Sequence, residues 1–321
     1  MVYFPFKRLA IIGAGLIGTS IAHAAKNAAR EVIVQFSDQD PGVRSELRSI
    51  FPDSIIAEKA GEAVRGADLV VLCVPVGAVG DVAEDIAPYV EPGAIVTDVG
   101  SVKASVVADV VSKLGEKACF IAGHPVAGSE RSGPKAGFAG LFRGRFVILT
   151  PTSDEQSEEL QKLTEFWQML GAMVETMDPQ HHDLVLALTS HLPHLIAYTI
   201  VGTAADFEDV TKSDVMRFSA GGFRDFTRIA ASDPVMWRDI FLNNKDAVLE
   251  ALGRFSEDLS ALQRAIRWGD ADKLEAWFTR TRGIRQGIID LGQDTGEADF
   301  GRQSSGLNAP IDSLAKPYGG E

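Results

Sequence analysis

Residues 8–18, RLAIIGAGLIG, decide the fold of this 321-residue chain. A short apolar run leads into Gly13-x-Gly15-x-x-Gly18, and an alanine-rich stretch with helical character follows. In such a strand-turn-helix unit the first glycine permits a tight turn, the second lets a pyrophosphate approach the backbone, and the third allows close packing of helix on strand. The N-terminus of the helix then faces the phosphates. The motif predicts a dinucleotide-binding domain; the alternative is a tight turn without a ligand.

The second predicted strand, EVIVQF, indicates which dinucleotide binds. It ends at Asp38, where an acid would accept hydrogen bonds from the adenosine ribose hydroxyls and repel a 2′-phosphate. This favours NAD over NADP, with Asp40 as the competing acid. The residues expected to hold NAD at this end are Gly13, Ala14, Gly15, Leu16, Ile17, Gly18 and Asp38.

From residue 7 to about residue 150, short β-branched runs alternate with helical stretches. This alternation predicts a Rossmann-type α/β domain, with a doubly wound, mostly parallel sheet built from LAIIG, EVIVQF, ADLVVLCVP, AIVTDVG, ACFIAG and RFVILT. LVVLCV is apolar throughout, as expected for a strand in the middle of the sheet. The loops after ADLVVLCVP and AIVTDVG should face the nicotinamide, unless they are ordinary turns; they supply Val74, Pro75, Asp98, Gly100 and Ser101.

After Pro151 the pattern becomes mostly helical, with Ser153-Asp154 as a predicted cap and AMVETM (172–177) as a possible edge strand. We expect an NAD-binding domain over 1–177, an all-helical substrate and dimerisation domain over 178–291, and a loosely ordered tail over 292–321. The helical stretches 178–206 and 234–289 are too long and too apolar for a single helix to bury its apolar face without a partner surface. They predict a homodimer formed through this half.

Composition limits the partners and the compartment. The net charge of −13, from 44 acidic and 31 basic residues, would repel nucleic acids. Cys73 and Cys119 lie in apolar runs without paired spacing and are predicted to be buried thiols. The chain opens without a basic leader and has no run of about 18 apolar residues. We therefore expect a cytoplasmic protein without a signal peptide or a membrane span.

Histidines mark the predicted chemistry. His124 follows the predicted strand ACFIAG in a glycine-rich loop, where it is placed either as a dehydrogenase base or as a structural residue. His191 and His194 are three residues apart and share a helical face. Paired histidines suggest a metal, but no further ligand completes a set, so we expect none. His181 and His182 are predicted to be solvated residues near a helix start.

Residues 221–244 combine basic and aromatic side chains after two glycines. Arg224 and Arg228 suit recognition of a carboxylate, although an ion-pair network that includes Asp225 would give the same pattern. Trp237 could line a pocket or pack in a core.

Taken together, DVGSVK (98–103), GHPVAGSE (123–130), SHLPH (190–194), GGFRDFTRIA (221–230) and SDPVMWRDIF (232–241) occur in a characteristic order and spacing. From about residue 7 to residue 290 the chain resembles the prephenate and arogenate (cyclohexadienyl) dehydrogenases of tyrosine biosynthesis. The resemblance implies oxidative decarboxylation of a cyclohexadiene acid, with hydride transfer from ring C4 to NAD.

The resemblance also implies roles for individual residues. His124 would accept the proton of the C4 hydroxyl, Ser101 would orient it or the substrate, and Arg228 would anchor a substrate carboxylate. Asp225 and Glu130 would tune the charge and the entry to the site. The remaining residues expected near the substrate are Ser129, His191, His194, Trp237 and Arg224, the last of these for a second anionic contact that a neighbouring subunit could supply.

Two alternative functions remain at this point. One is a 3-hydroxyacid dehydrogenase related to 6-phosphogluconate dehydrogenase, for which Lys103 would be the base. The other is a non-catalytic NAD-binding regulatory module.

Overall fold

The structure of the chain, a computed structural model, describes residues 4–128, 131–153, 156–211 and 216–290. Within them, a six-stranded parallel sheet has the order β3-β2-β1-β4-β5-β6. This is the doubly wound order of dinucleotide-binding domains. Its strands are β1 (Arg8–Ile12), β2 (Ile33–Ser37), β3 (Ile55–Ala57), β4 (Leu69–Leu72), β5 (Ile95–Asp98) and β6 (Cys119–Phe120).

Helices cover both faces of this sheet. They are α1 (Leu16–Ala28), α2 (Pro41–Ile50), α3 (Ala60–Ala63), α4 (Val79–Ile86), α5 (Ala104–Leu114) and α6 (Ser157–Met169). Alternate residues of β4 enter different cores, because Leu69 and Val71 pack on the α1 side whereas Val70 and Leu72 pack on the α4 and α5 side. β4 lies between β1 and β5, which confirms that LVVLCV is a buried central strand.

The predicted strands ACFIAG and RFVILT do not simply extend the parallel sheet. ACFIAG divides into β6 and β7 (Ala122–Pro125), and β7 joins a second sheet with β8 (Phe146–Thr150) and β9 (Met173–Thr176). β7 is antiparallel to β8, and β8 is parallel to β9. Ile121 still donates to the main chain of Val96, but the Gly123 N–H donates to the Asp98 side chain. This substitution of a side chain for the backbone partner is where the chain leaves the first sheet.

The second half is helical. It contains α7 (Pro179–Leu186), a π-turn (Ala187–His191), α8 (Leu192–Thr211), α9 (Gly221–Thr227), a 3₁₀ turn (Arg228–Ala231), α10 (Pro234–Asn243), α11 (Lys245–Trp268) and α12 (Ala271–Ile288). The π-turn precedes Pro193, which has no N–H to continue the helical ladder. Such turns often occur at functional sites. The predicted cap Asp154 and the tail 292–321 lie outside the described residues.

α10 connects the two halves. Trp237 and Ile240 of this helix are buried in the same core as Val76 and Val102, which belong to the loops after β4 and β5. The helical half therefore packs directly on the carboxyl edge of the parallel sheet.

The helices of the second half leave apolar surface exposed. In the described part of the chain, the continuous helix Pro179–Glu208 is long and apolar enough to cross a membrane by length and composition alone. This departs from the expectation of no such segment. Only 28% of its apolar window is buried within the chain. Large exposed side chains on α11 and α12 include Leu259, Ile266, Trp268, Phe278 and Ile284.

The two cysteines are free, as their spacing predicts, but they are only partly buried. Cys73 borders the cavity described below, because it follows β4 at the carboxyl edge of the sheet. Burial raises the pKa of its thiol, and the charge of Asp98 adds to this effect.

Candidate active site

The glycine-rich turn between β1 and α1 has the geometry that its sequence predicts. Gly13 adopts φ +90°, and a Cβ there would lie 2.5 Å from the carbonyl oxygen of Cys73. A Cβ on Gly18 would lie 2.4 Å from the carbonyl oxygen of Gly13. A Cβ on Gly15, in contrast, would meet nothing within 4 Å. The turn is closed against the protein at Gly13 and Gly18 and open at Gly15.

The N-terminus of α1 is free to meet an anion. Gly15 is the residue before its first turn, no side chain caps it, and no acidic residue lies in that turn. Its N–H groups and dipole suit a phosphate. The turn therefore fits the pyrophosphate of a dinucleotide.

Two acids follow β2, and the structure separates their roles. Asp38 borders the cavity, where its Oδ2 accepts a hydrogen bond of 2.8 Å from the N–H of Ala14. Asp40 caps α2, since its Oδ1 accepts from the N–H of Gly42 at 2.7 Å. Asp38 is thus the acid whose carboxylate borders the cavity, whereas Asp40 is engaged at the start of α2. The sequence did not reveal Arg44, whose guanidinium donates to the main-chain oxygen of Asp38.

The cavity has a volume of about 870 Å³. Its lining contains Cys73 and six of the residues predicted for the cofactor: Gly13, Ala14, Gly15, Asp38, Val74 and Pro75. Leu16 is buried at the start of α1 and Ile17 packs against the core, so these two side chains support the turn from behind. Lys59, Arg65 and Tyr89 also line the cavity, with the Arg65 guanidinium over the Tyr89 ring.

Asp98 was expected to face the cofactor, and the structure places it inside the protein instead. It is fully buried and forms an ion pair with Lys103, which is also fully buried. Its oxygens also accept from the N–H groups of Gly100 (2.8 Å) and Gly123 (3.1 Å). Lys103 donates in turn to the carbonyl oxygen of Gly123. Because these oxygens are engaged internally, Asp98 ties the ends of β5 and β7 together and supports the loop at Gly100.

His124 lies on β7, directly after the glycine that this ion pair holds. It is buried, and its Nδ1 lies 2.8 Å from Nε2 of His182. Nδ1 of His182 lies 2.8 Å from Oδ1 of Asp183. The Asp183 carboxylate also accepts from the first N–H groups at the start of α5, those of Lys103 (2.7 Å) and Ala104 (2.9 Å). Three side chains thus form a continuous chain from β7 to a helix N-terminus.

The prediction that His182 is solvated was wrong. Its side chain is fully buried, whereas its neighbour His181 is exposed. The helix α7 begins at Pro179 after the Asp178 cap and turns His182 inward with Leu186 four residues later. The apolar Leu186 was the signal that could have identified the buried face.

The surroundings of His124 favour its neutral form. Burial lowers its pKa well below the ordinary value, and the nearby His182, Lys103 and His191 lower it further. A neutral imidazole has one nitrogen with a free electron pair, so it can act as a base at neutral pH.

His191 is a fully buried residue of the π-turn. Its Nδ1 lies 3.1 Å from the side-chain nitrogen of Asn244, which also donates to the carbonyl oxygen of Asp183 at 2.9 Å. Burial lowers the pKa of His191 to about 4, opposed in part by the charge of Asp183. Asn244 was not among the predicted residues, because nothing in its local sequence indicates its partners.

His194 and Trp237 form a flat stack. Their ring centroids are 3.7 Å apart and the planes differ by 24°. Nδ1 of His194 lies 2.9 Å from the carbonyl oxygen of Ser190. Burial lowers the pKa of His194, and the positive charge of Arg228 contributes to this shift. The structure therefore brings the predicted His194, Trp237 and Arg228 into one neighbourhood.

The other predicted substrate residues are more exposed. Arg224 and Asp225 on α9 and Arg228 in the following turn are all exposed in the single chain. Ser129 and Glu130 lie outside the described residues. Ser101 is half-buried and its backbone lies beside His191. Among the hydrogen bonds of the described residues, none joins the Ser101 hydroxyl to His124, so its orienting role stays a prediction.

Within the described residues, no group of three or more His, Cys, Asp or Glu side chains is arranged to hold a metal ion. A glycine-rich turn that opens into a cavity at the carboxyl edge of the parallel sheet, together with a buried histidine of lowered pKa just past the end of β6, defines the class of this protein as a dehydrogenase.

Comparison with known proteins identifies the family. The family model for the prephenate dehydrogenase nucleotide-binding domain matches residues 21–176, and the model for the prephenate dehydrogenase dimerization domain matches residues 178–280. A cyclohexadienyl dehydrogenase of Zymomonas mobilis is 42% identical over 87% of this chain and 95% of its own length. A prephenate dehydrogenase of Bacillus subtilis is 33% identical over 87% of this chain and 75% of its own length.

The crystal structure of a prephenate dehydrogenase from Aquifex aeolicus, in complex with hydroxyphenyl propionate and NAD⁺, has the same fold. It matches with a TM-score of 0.82 and 33% identity, over 88% of this chain and 98% of the other. The chain belongs to the prephenate dehydrogenase family and is an NAD-dependent oxidoreductase.

Proposed function

We propose that this enzyme oxidatively decarboxylates prephenate, arogenate or both in tyrosine biosynthesis. The observation that carries the proposal is His124, a buried histidine that follows the carboxyl end of β6 and whose pKa is lowered by burial. A cyclohexadienyl or prephenate dehydrogenase activity is named for relatives that align with most of this chain. The product would be 4-hydroxyphenylpyruvate from prephenate or tyrosine from arogenate.

The chain's own residues supply positioning and proton transfer. Bound NAD supplies the hydride acceptor. His124 would accept the proton of the C4 hydroxyl while hydride leaves C4 and the C1 carboxylate departs as CO₂. The electron pair of the broken C1–carboxylate bond completes the aromatic ring as a C4 phenolate, to which the protonated His124 would return the proton. Because aromatisation makes the reaction downhill, the protein mainly has to orient the substrate and take up one proton.

We assign substrate orientation to Arg228, with His194 and Trp237 beside it. The positive charge of Arg228 acts on His194, which stacks on Trp237. A tight ion pair with the departing carboxylate would stabilise the ground state and oppose its loss. An exposed guanidinium is suited to anchoring without such neutralisation. Arg224 and Asp225, exposed on α9, together with Ser129 and Glu130, stay in the proposal as residues near the entry to the site.

The hydroxyacid dehydrogenase alternative is not supported. It requires Lys103 as a base, and this lysine is fully buried in an ion pair with Asp98. It also donates to the carbonyl oxygen of Gly123. A group with these partners cannot reach a substrate.

The test is NADH formation by the purified enzyme with prephenate, arogenate and a 3-hydroxyacid, each with NAD and NADP. We expect turnover with NAD and at least one cyclohexadiene acid. NAD binding without NADH formation on either acid would instead support a non-catalytic module. Turnover of the 3-hydroxyacid alone would overturn the proposal.

We also propose a cytoplasmic homodimer formed through the helical half. The apolar face on α8, α11 and α12 is exposed in the single chain, and the family model that spans it is named for dimerisation. Sedimentation at micromolar concentration should give twice the chain mass. Leu259→Glu should shift the protein towards monomer, whereas Glu257→Gln on the same helix should not; a monomeric wild-type protein would refute the proposal.

A further inference from the structure

The chain of side chains behind His124 has a defined direction, which begins at Asp183. Both oxygens of its carboxylate accept backbone hydrogen bonds, from Lys103 at 2.7 Å and from Ala104 at 2.9 Å. A carboxylate in this position can only accept a further hydrogen bond. Nδ1 of His182, 2.8 Å from Oδ1, must therefore carry the proton of that contact.

The same reasoning continues to His124. With its proton on Nδ1, a neutral His182 presents the free electron pair of Nε2. This nitrogen lies 2.8 Å from Nδ1 of His124, so His124 must donate. Nε2 of His124 is then the nitrogen with the free electron pair. If His182 were charged, it would donate to His124 instead, and Nε2 of His124 would carry the proton and could not accept another.

The surroundings keep His182 in the neutral form. It is fully buried, which disfavours its charge, and the Lys103 ammonium adds repulsion, although Asp183 opposes both effects. The other charged group facing it is Asp98, whose carboxylate is paired with Lys103.

We propose that His182 and Asp183 are positioning residues, which fix the tautomer of His124 so that Nε2 is the base. Proton uptake from the substrate then makes His124 an imidazolium whose Nδ1–H points at a nitrogen supported by a carboxylate. The groups that stabilise the positive charge on His124 are therefore in place before the reaction begins.

In this arrangement the base and the residues that support it come from different halves of the chain. His124 belongs to β7, whereas His182 and Asp183 belong to α7, which opens the helical half. Asp183 is fixed from both sides, since its carboxylate is anchored on α5 and its carbonyl oxygen accepts from Asn244. The docking of the helical half therefore sets the protonation pattern of the base. This inference rests on the proposed function.

The test compares His182→Leu with His182→Gln. Gln places an amide oxygen near the position of Nε2 and can accept from His124, whereas Leu fills the space without an acceptor. We expect kcat to fall by at least about tenfold in the Leu variant, up to the roughly 10²- to 10⁴-fold that a general base contributes. The Gln variant should recover much of this loss. KM and the Kd for NAD should change by less than about threefold in both.

The matched control is the neighbouring residue. His181 is exposed on the same helix, and His181→Leu and His181→Gln should leave kcat unchanged. Melting temperatures with and without NAD establish that each variant is folded. Equal losses in the Leu and Gln variants, or wild-type kcat in the Leu variant, would overturn the proposal.

A second measurement does not depend on turnover. ¹⁵N NMR of the histidine-labelled wild-type enzyme with NAD distinguishes the two tautomers of His124, with its signal assigned by the His124→Asn variant. We expect a protonated Nδ1 and a bare Nε2 in the wild type, and a mixture in His182→Leu. A protonated Nε2 in the wild type would refute the inference. Absence of turnover by the wild type, in contrast, would refute the proposed function and leave the tautomer to be decided by this spectrum.

Discussion

The side-chain nitrogen of Asn244 donates to the carbonyl oxygen of Asp183 at 2.9 Å and lies 3.1 Å from Nδ1 of His191. The Asn244 amide, at the start of α11, therefore contacts both Asp183, which supports His182 and His124, and His191 of the π-turn. We predict that Asn244→Leu destabilises the protein by about 1–3 kcal/mol, because buried polar atoms lose their partners. It should also lower kcat, since Asp183 is no longer fixed.

Urea unfolding and steady-state kinetics measure these two effects. The control is Asn243→Leu, whose side chain donates to the main chain within α10 and is only partly buried. A loss of stability and kcat in Asn244→Leu no larger than in Asn243→Leu would contradict the prediction.

Replacement of His124 by Asn tests the base directly. The amide keeps a hydrogen-bonding group in place but cannot accept a proton. We expect kcat to fall by roughly 10²- to 10⁴-fold with an unchanged Kd for NAD. His181→Asn serves as the control, because that residue is exposed. An unchanged kcat in His124→Asn would end the assignment.

The acid that borders the cavity should determine the choice of dinucleotide. Asp38→Ala removes the acceptor expected for the ribose hydroxyls, at a cost of about 1.5–3 kcal/mol for hydrogen bonds to a charged group. We therefore expect the KM for NAD to rise at least about tenfold. The ratio of kcat/KM for NAD to that for NADP should decrease, because the carboxylate no longer repels a 2′-phosphate.

Asp40→Ala provides the comparison. Asp40 caps α2, so its loss should reduce stability by about 1 kcal/mol and leave the ratio of kcat/KM for NAD and NADP unchanged. If Asp40→Ala changed this ratio more than Asp38→Ala, the two roles would be reversed.

Local patterns were sufficient for the cofactor turn and for the buried central strand β4, since each is visible within a short run of sequence. They failed where the partner is distant. ACFIAG leaves the first sheet because Gly123 bonds to the side chain of Asp98, and Asp98 turns inward because Lys103 is buried beside it. The partner of His182, His124, is 58 residues away, and the only local sign of its burial is Leu186, four residues later on α7.

Arg228 is predicted to anchor a substrate carboxylate. Arg228→Ala should raise the KM for the cyclohexadiene substrate with little change in kcat, because the anchor acts before and during the reaction alike. The pKa of His194 should rise in this variant, since the arginine charge lowers it. Arg238→Ala is the control, as Arg238 is exposed and paired with Asp239. A loss of kcat with normal KM would contradict an anchoring role.

The depressed pKa of His191 predicts how stability depends on pH. The folded state holds this pKa at about 4, whereas the unfolded value is about 6.5. Well above pH 6.5, His191 is neutral in both the folded and the unfolded state, so its burial carries no penalty from protonation. As the pH falls from about 6.5 to 4, the unfolded state binds a proton that the folded state does not, so stability is lost. The loss amounts to about 3 kcal/mol at most for this residue.

His124 and His182 add to this trend, because burial lowers their pKa values as well. The free energy of unfolding in urea should therefore decrease steadily from pH 7 to pH 5. In His191→Gln this decrease should be smaller, whereas in His181→Gln it should equal that of the wild type, since His181 is exposed. An identical slope in wild type and His191→Gln would show that His191 binds its proton equally well in the folded and unfolded states, which would contradict the lowered pKa.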